Sequence, residues 1–136
     1  MELNPSVLYV EDDPQSRTVM RMLLKGRMGL SNVTILQDSR DFIANFDALD
    51  PKPDIIFLDI HMEPLNGIEM LKLLRDREDF NGTPVIALTA SVMNEEIQQL
   101  RKAGFTGCLA KPIDLSSFPE MLKRIVAGES IWRIIE

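Results

Sequence analysis

Asp54-Ile-Ile-Phe-Leu-Asp59 sets four large apolar residues in an unbroken run between two acids. A strand with one solvated face alternates apolar and polar residues. A continuous apolar run of this length fits a strand covered on both faces, as in a parallel sheet with helices on either side. Pro51 and Pro53 precede it, and Asn66-Gly67 follows in a loop, so chain breakers bound the run.

The same grammar repeats outward. Val7-Leu-Tyr-Val10 reads as a strand, followed by Glu11-Asp12-Asp13-Pro14, where Asp13 can cap a helix starting at Pro14 and running to about Met28. Asn32 to Gln37 reads as the second strand. Phe42, Ile43, Phe46 and Leu49 then recur at helical spacing. Beyond Asp59, a third helix is expected over about Gly67–Glu78, a fourth strand at Pro84–Thr89 and a fourth helix at Ser91–Ala103. Gly107–Ala110 reads as a short fifth strand, and Phe118, Met121, Leu122, Ile125 and Val126 give an amphipathic fifth helix. Five strands each followed by a helix predict one α/β domain, a doubly wound five-stranded parallel sheet with five helices. The expected domain spans residues 1–128, leaving 129–136 as a C-terminal apolar extension of unknown role.

The 136 residues fit one domain with a real core. The composition is 45% hydrophobic and 26% charged, with a formal net charge of −6, so nucleic acid is not an expected partner. No apolar stretch has the length of a membrane span, and Met1–Pro5 lacks the basic and apolar regions of a signal peptide. Cys108 is the one cysteine, which excludes an internal disulfide. Together these predict a cytoplasmic protein without a membrane association.

In such a sheet, ligands bind outside the carboxyl ends of the strands. Strand one ends at Glu11-Asp12, strand three at Asp59, strand four at Thr89 and strand five at Lys111-Pro112. Three carboxylates, a hydroxyl and an ammonium therefore converge on one rim. Closely packed carboxylates repel, and a hard divalent cation with oxygen ligands relieves that. A carboxylate can also be a nucleophile that forms an aspartyl-phosphate. Singly, each residue has a plainer explanation: acids favour a helix N-terminus, and a strand-end threonine or lysine is common. Their joint placement at four strand ends is hard to obtain by accident.

The segments Val7-Leu-Tyr-Val-Glu-Asp-Asp13, Asp54–Asp59 with Gly67 eight residues later, Ile86-Ala-Leu-Thr-Ala90 and Lys111-Pro112 resemble the response-regulator receiver domains of two-component signalling. The resemblance runs from about residue 6 to residue 127. It implies a flavodoxin-like strand order 2-1-3-4-5, with Asp59 as phosphoacceptor and Thr89 and Lys111 at the phosphoryl group. It further implies Mg2+ held by Glu11, Asp12, Asp59 and the backbone carbonyl of His61, and a cis Lys111-Pro112 peptide. The donor would be a sensor histidine kinase or a histidine phosphotransfer protein. The output would be a protein target bound on the helix 4–strand 5–helix 5 face, and the chain would be a phosphoprotein rather than an enzyme.

Three features depart from the family pattern. Proline stands at position 64, one later than usual after the acceptor. Cys108 occupies the place of an aromatic residue that in the family rotates with the threonine, so switching is expected to run differently. The chain continues through Ile131-Trp-Arg-Ile-Ile135, which either folds back on its own domain or extends the fifth helix, or else binds a second copy (a homodimer) or a partner beside the helix-five surface. Two other classes compete with the receiver. A haloacid-dehalogenase-like phosphatase needs a second Asp two residues after the nucleophile, where this chain has His61. A degenerate receiver acting by binding alone is disfavoured because the expected functional groups are all present.

Overall fold

Strand β1 (Val7–Val10) turns Leu8 and Val10 to one face of the sheet and Val7 and Tyr9 to the other, and all four are buried. The computed structural model describes residues 4–77, 80, 82–90 and 93–133. The same two-sided burial recurs in β3 (Ile55–Asp59) and β4 (Val85–Thr89), every residue of which is buried. β2 (Val33–Leu36), at one edge, is only half-buried, and β5 (Gly107–Ala110) lies on the far side of β4.

The order is β2-β1-β3-β4-β5, all parallel, as the resemblance implied. Helix α1 (Pro14–Arg21) continues as a π-helical turn, Met22–Arg27, in which the Met28 amide donates to the Leu23 carbonyl, five residues back. α1 packs on the same face as α5 (Phe118–Val126), through Met20, Leu23, Phe118, Leu122 and Ile125. The opposite face carries α2 (Phe42–Asp47), α3 (Gly67–Arg75) and α4 (Asn94–Ala103). Two hydrophobic layers therefore sandwich the sheet, and their burial is the main source of stability.

Capping accounts for where α1 and α3 begin. Asp13 accepts from the Ser16 amide at 2.9 Å, with Pro14 in the first helical position. Asn66 and Glu69 form a reciprocal capping box at α3. The fourth helix starts at Asn94 rather than near Ser91; Ser91 and Val92 lie outside the described residues, as does Glu78 at the expected end of the third helix.

A sixth strand, which the sequence reading did not assign, adds to the sheet. β6 (Trp132–Arg133) pairs in parallel with β5, with Cys108 opposite Trp132, and the Cys108 amide donates to the Ile131 carbonyl at 2.9 Å. Ile131 is buried with the α1–α5 layer, while Trp132 packs on the other layer under the Arg101 guanidinium, 4.3 Å from its ring centroid. Gly107 makes room for this strand, because a Cβ there would run into the Ile131 carbonyl. The edge beyond β4 is thus β6 rather than β5; Ile134 and Ile135 lie outside the described residues.

Candidate functional site

The parallel register brings the carboxyl ends of β1, β3, β4 and β5 to one rim, and the side chains there are polar where the strands are apolar. Glu11 directly follows β1 and is fully buried. Its Oε1 accepts from Tyr9 Oη at 2.9 Å and from Lys111 Nζ at 3.0 Å, and its Oε2 accepts from the Asp13 amide at 3.2 Å. Asp12, the next residue, is exposed. Asp59 ends β3 and is only 4% exposed; its Oδ1 accepts from the His61 amide at 3.3 Å, and its Oδ2 lies 3.5 Å from Lys111 Nζ.

One carboxylate oxygen from each of Glu11, Asp12 and Asp59 lies within 4.8 Å of the others. Two are buried and one faces solvent, leaving an entry side. An all-oxygen set of three acids suits a hard cation such as magnesium, which keeps several waters and takes few protein ligands. An open cleft of about 690 Å³, lined among others by Asp12, His61, Asn66, Glu96 and Gln99, leads onto this cluster.

The electrostatics follow from burying acids together. Burial, then hydrogen bonding with Glu11 and its charge, pushes Asp59 up to about 7. Burial would also raise Glu11, but hydrogen bonds with Asp59 and Lys111 and the lysine's charge outweigh it and hold Glu11 low. Lys111 would be lowered by burial, yet its bond to Glu11 and the two nearby carboxylates keep it above the ordinary lysine value. The pair of acids therefore shares a deficit of positive charge that one lysine only partly fills.

Loop geometry depends on one close approach. The Gly67 amide donates to the Ile60 carbonyl at 3.1 Å, which folds the 60–66 loop back on the end of β3. A Cβ at Gly67 would stand 2.7 Å from Ile60 Cδ1 and 2.9 Å from the Asp59 carbonyl oxygen, so only glycine fits without displacement. The Glu63-Pro64 and Lys111-Pro112 peptides are both cis.

Glu11, Asp12, Asp59 and Lys111 are thus brought together. Thr89 ends β4 on the neighbouring strand, fully buried, and its hydroxyl donates to Glu96 of α4 at 3.0 Å. The His61 side chain is 64% exposed, with Nε2 3.4 Å from Glu96 Oε1, and is not among the metal-capable side chains of the described residues. Two participants escaped the sequence reading. Tyr9 carried a signal, since it lies two residues before Glu11 on one strand and so shares its face. Glu96 carried none, because acids in a helix's first turn are ordinary.

Comparison with known proteins gives a consistent result. Residues 7–123 match the family model described as the response regulator receiver domain. The polar-differentiation response regulator DivK of Brucella ovis is 30% identical over 121 residues, covering 89% of this chain and 95% of that protein. Among solved structures, the chemotaxis protein CheY4 of Vibrio cholerae superposes with a TM-score of 0.79 at 27% identity, over 90% of this chain and 99% of that one. The receiver domain of a sensor histidine kinase from Pseudomonas aeruginosa PAO1, described with magnesium coordinated in its active-site cleft, gives 0.79 at 26% identity over 93% of this chain and 100% of that one.

Proposed function

The chain belongs to the response regulator receiver family, and from that premise we propose that Asp59 accepts a phosphoryl group in a Mg2+-dependent reaction and that the modified domain signals by protein–protein contact. The donor is a phosphohistidine on a histidine kinase or histidine phosphotransfer protein, and the setting is the cytoplasm. The observation that carries this reading is the approach of Lys111 Nζ to Asp59 Oδ2, at 3.5 Å, beside three acids whose oxygens lie within 4.8 Å.

An Asp59 oxygen attacks phosphorus in line with the leaving nitrogen. The P–N bond breaks with its electron pair onto nitrogen, which takes up a proton. Glu11, Asp12, Asp59 and the His61 backbone carbonyl would hold Mg2+, which would supply positive charge to offset the carboxylate and phosphoryl oxygens. Lys111 stabilises the charge gathering on the phosphoryl oxygens, and the Thr89 hydroxyl turns to donate to one of them. Burial of Asp59 keeps water from competing at the attacking oxygen, although hydrolysis later returns the chain to its starting state. Output is assigned to the α4–β5–α5 face, on which β6 lies along the outer edge of β5.

The test uses magnesium and a small acyl phosphate as donor, with mass spectrometry of the intact chain and its peptides. One label, on Asp59, absent in Asp59→Asn and in EDTA, is the expected result. A label that persists in Asp59→Asn, or steady turnover of the donor without a labelled aspartate, overturns the proposal.

A further inference from the structure

The acid that Thr89 addresses is not one of the three that form the metal-capable cluster. Thr89 Oγ1 donates to Glu96 Oε1 at 3.0 Å, and His61 Nε2 lies 3.4 Å from the same oxygen. Glu96 sits in the first turn of α4, with its side chain 19% exposed and turned toward the strand ends. Its charge also reaches the buried Cys108 thiol, which burial and Glu96 together push up to about 11. Glu96 therefore faces the site from the α4 side and contacts the ends of two elements, β4 and the loop after β3.

A hydroxyl has a single proton to donate. A carboxylate on α4 and a phosphoryl oxygen on Asp59 are both charged acceptors, and each would form the stronger, charge-assisted kind of bond. Thr89 follows Leu88, the register partner of Asp59, so its hydroxyl stands one strand away from the acceptor. It can serve one of these two acceptors and must leave the other. The cost of leaving Glu96 falls on a half-buried carboxylate that loses its hydroxyl donor.

Resting on the reading of Asp59 as phosphoacceptor and of Thr89 as a phosphoryl contact, we propose that Glu96 is a positioning residue that holds the Thr89 hydroxyl on α4 in the unmodified domain and gives it up when Asp59 is phosphorylated. The turn of one hydroxyl from one acceptor to another then couples chemistry on β3 to the attachment of α4's first turn. Glu96 opposes the modified state, and its release from Thr89 is what α4 reports to a partner.

The experiment measures Mg2+-dependent binding of beryllium fluoride, a phosphoryl mimic, to the full chain and to four variants: Glu96→Ala, Glu96→Gln, Thr89→Ala and the Thr89→Ala/Glu96→Ala double. Glu96→Ala is expected to bind about fivefold tighter, the worth of an ordinary net hydrogen bond. Glu96→Gln keeps an acceptor oxygen and should gain less. In the Thr89→Ala background the gain should vanish, which a merely structural role for Glu96 would not produce. Unchanged affinity in Glu96→Ala overturns the inference. So does an equal gain in Glu96→Gln, or a gain that persists without the Thr89 hydroxyl, since either means charge repulsion alone. Failure of the unaltered chain to bind the mimic or take a label on Asp59 overturns the phosphoacceptor reading as well, whereas normal labelling with silent Glu96 variants defeats only the role given to Glu96.

Discussion

Lys111 Nζ donates to both carboxylate oxygens of Glu11, at 3.0 and 3.2 Å, across 100 residues of chain. Glu11 has no exposed surface and the lysine side chain only 20%. The bond thus closes the rim of the sheet between β1 and β5 while leaving the same ammonium 3.5 Å from Asp59.

Removing that cation should therefore affect both. Lys111→Ala is expected to lose about 2 kcal/mol of stability in the metal-free protein, because a buried carboxylate loses its charged partner. Magnesium should restore part of the loss, while labelling by acyl phosphate stays at least tenfold slower. Thermal melts with and without magnesium, together with labelling kinetics, check this. Equal melting temperatures for the variant and the unaltered chain in EDTA would show that the bond is not stabilising.

Asp12 offers the contrasting case. It is the exposed member of the cluster, so Asp12→Ala removes a candidate ligand without opening a cavity. Magnesium affinity should fall by at least tenfold and the metal-free melting temperature should hold or rise, since one source of carboxylate repulsion is gone. Calorimetric titration of magnesium and a melt in EDTA give the two readouts. Undiminished affinity would place the ion elsewhere.

The position of Asp59 makes stability depend on pH. Its folded value of about 7 lies above the ordinary 3.8, so between the two the folded chain holds more protons than the unfolded one. That contribution is complete below the unfolded value and is lost as pH rises through the folded value. Glu11 acts in the opposite sense, but below its ordinary 4.5. The metal-free protein should accordingly melt lower at about pH 8 than at about pH 5.5, and Asp59→Asn should flatten the slope. Differential scanning calorimetry in EDTA is the check, and a flat profile in the unaltered chain counts against a raised Asp59.

Much of this arrangement was legible beforehand, for physical reasons that differ by element. Asp54–Asp59 could be recognised because a strand buried on both faces cannot alternate, and the strand ends could be read because polar groups in an apolar layer sit only at its rim. Asp13 and Pro14 announce α1 through capping chemistry that is local in sequence. The bond from Thr89 to Glu96 is not local: it depends on the angle at which α4 leaves β4, and no spacing rule encodes that angle. The π-helical turn at Met22–Arg27 likewise has no marker in composition. The tail was legible as apolar, but its pairing with β5 turns on the missing Cβ of Gly107, more than 20 residues away.

Gly67 supplies a sharp steric test. Gly67→Ala forces its Cβ against Ile60 and the Asp59 carbonyl oxygen, a backbone contact that cannot rotate aside. A cost of about 2 kcal/mol is expected, as for overpacking elsewhere. Because the displaced atoms adjoin Asp59, its labelling should slow more than a stability loss alone explains at a temperature where the variant is folded. A variant that labels at the normal rate would show that the loop relaxes away from Asp59.

The tail yields the last prediction. Ile131 is buried, the Ile131 carbonyl accepts from Cys108, and Trp132 lies under Arg101, so residues at the start of 130–136 contribute apolar burial, a ladder bond and a cation–π contact. Deleting 130–136 should cost about 3 kcal/mol, mostly from the isoleucine and tryptophan. The shortened chain should remain a monomer, since the strand edge it exposes is short. Gly107→Ala should reproduce much of the loss in the intact chain, because the added Cβ expels the Ile131 carbonyl from its seat. Trp132 pairs with Cys108 at the second position of β5, away from the strand ends that carry the acids, so magnesium alone should leave tryptophan emission nearly unchanged. Melting curves and sedimentation of both variants decide the matter. Full stability after deletion, with a dimer of the unaltered chain falling apart, would assign the tail to a second copy instead.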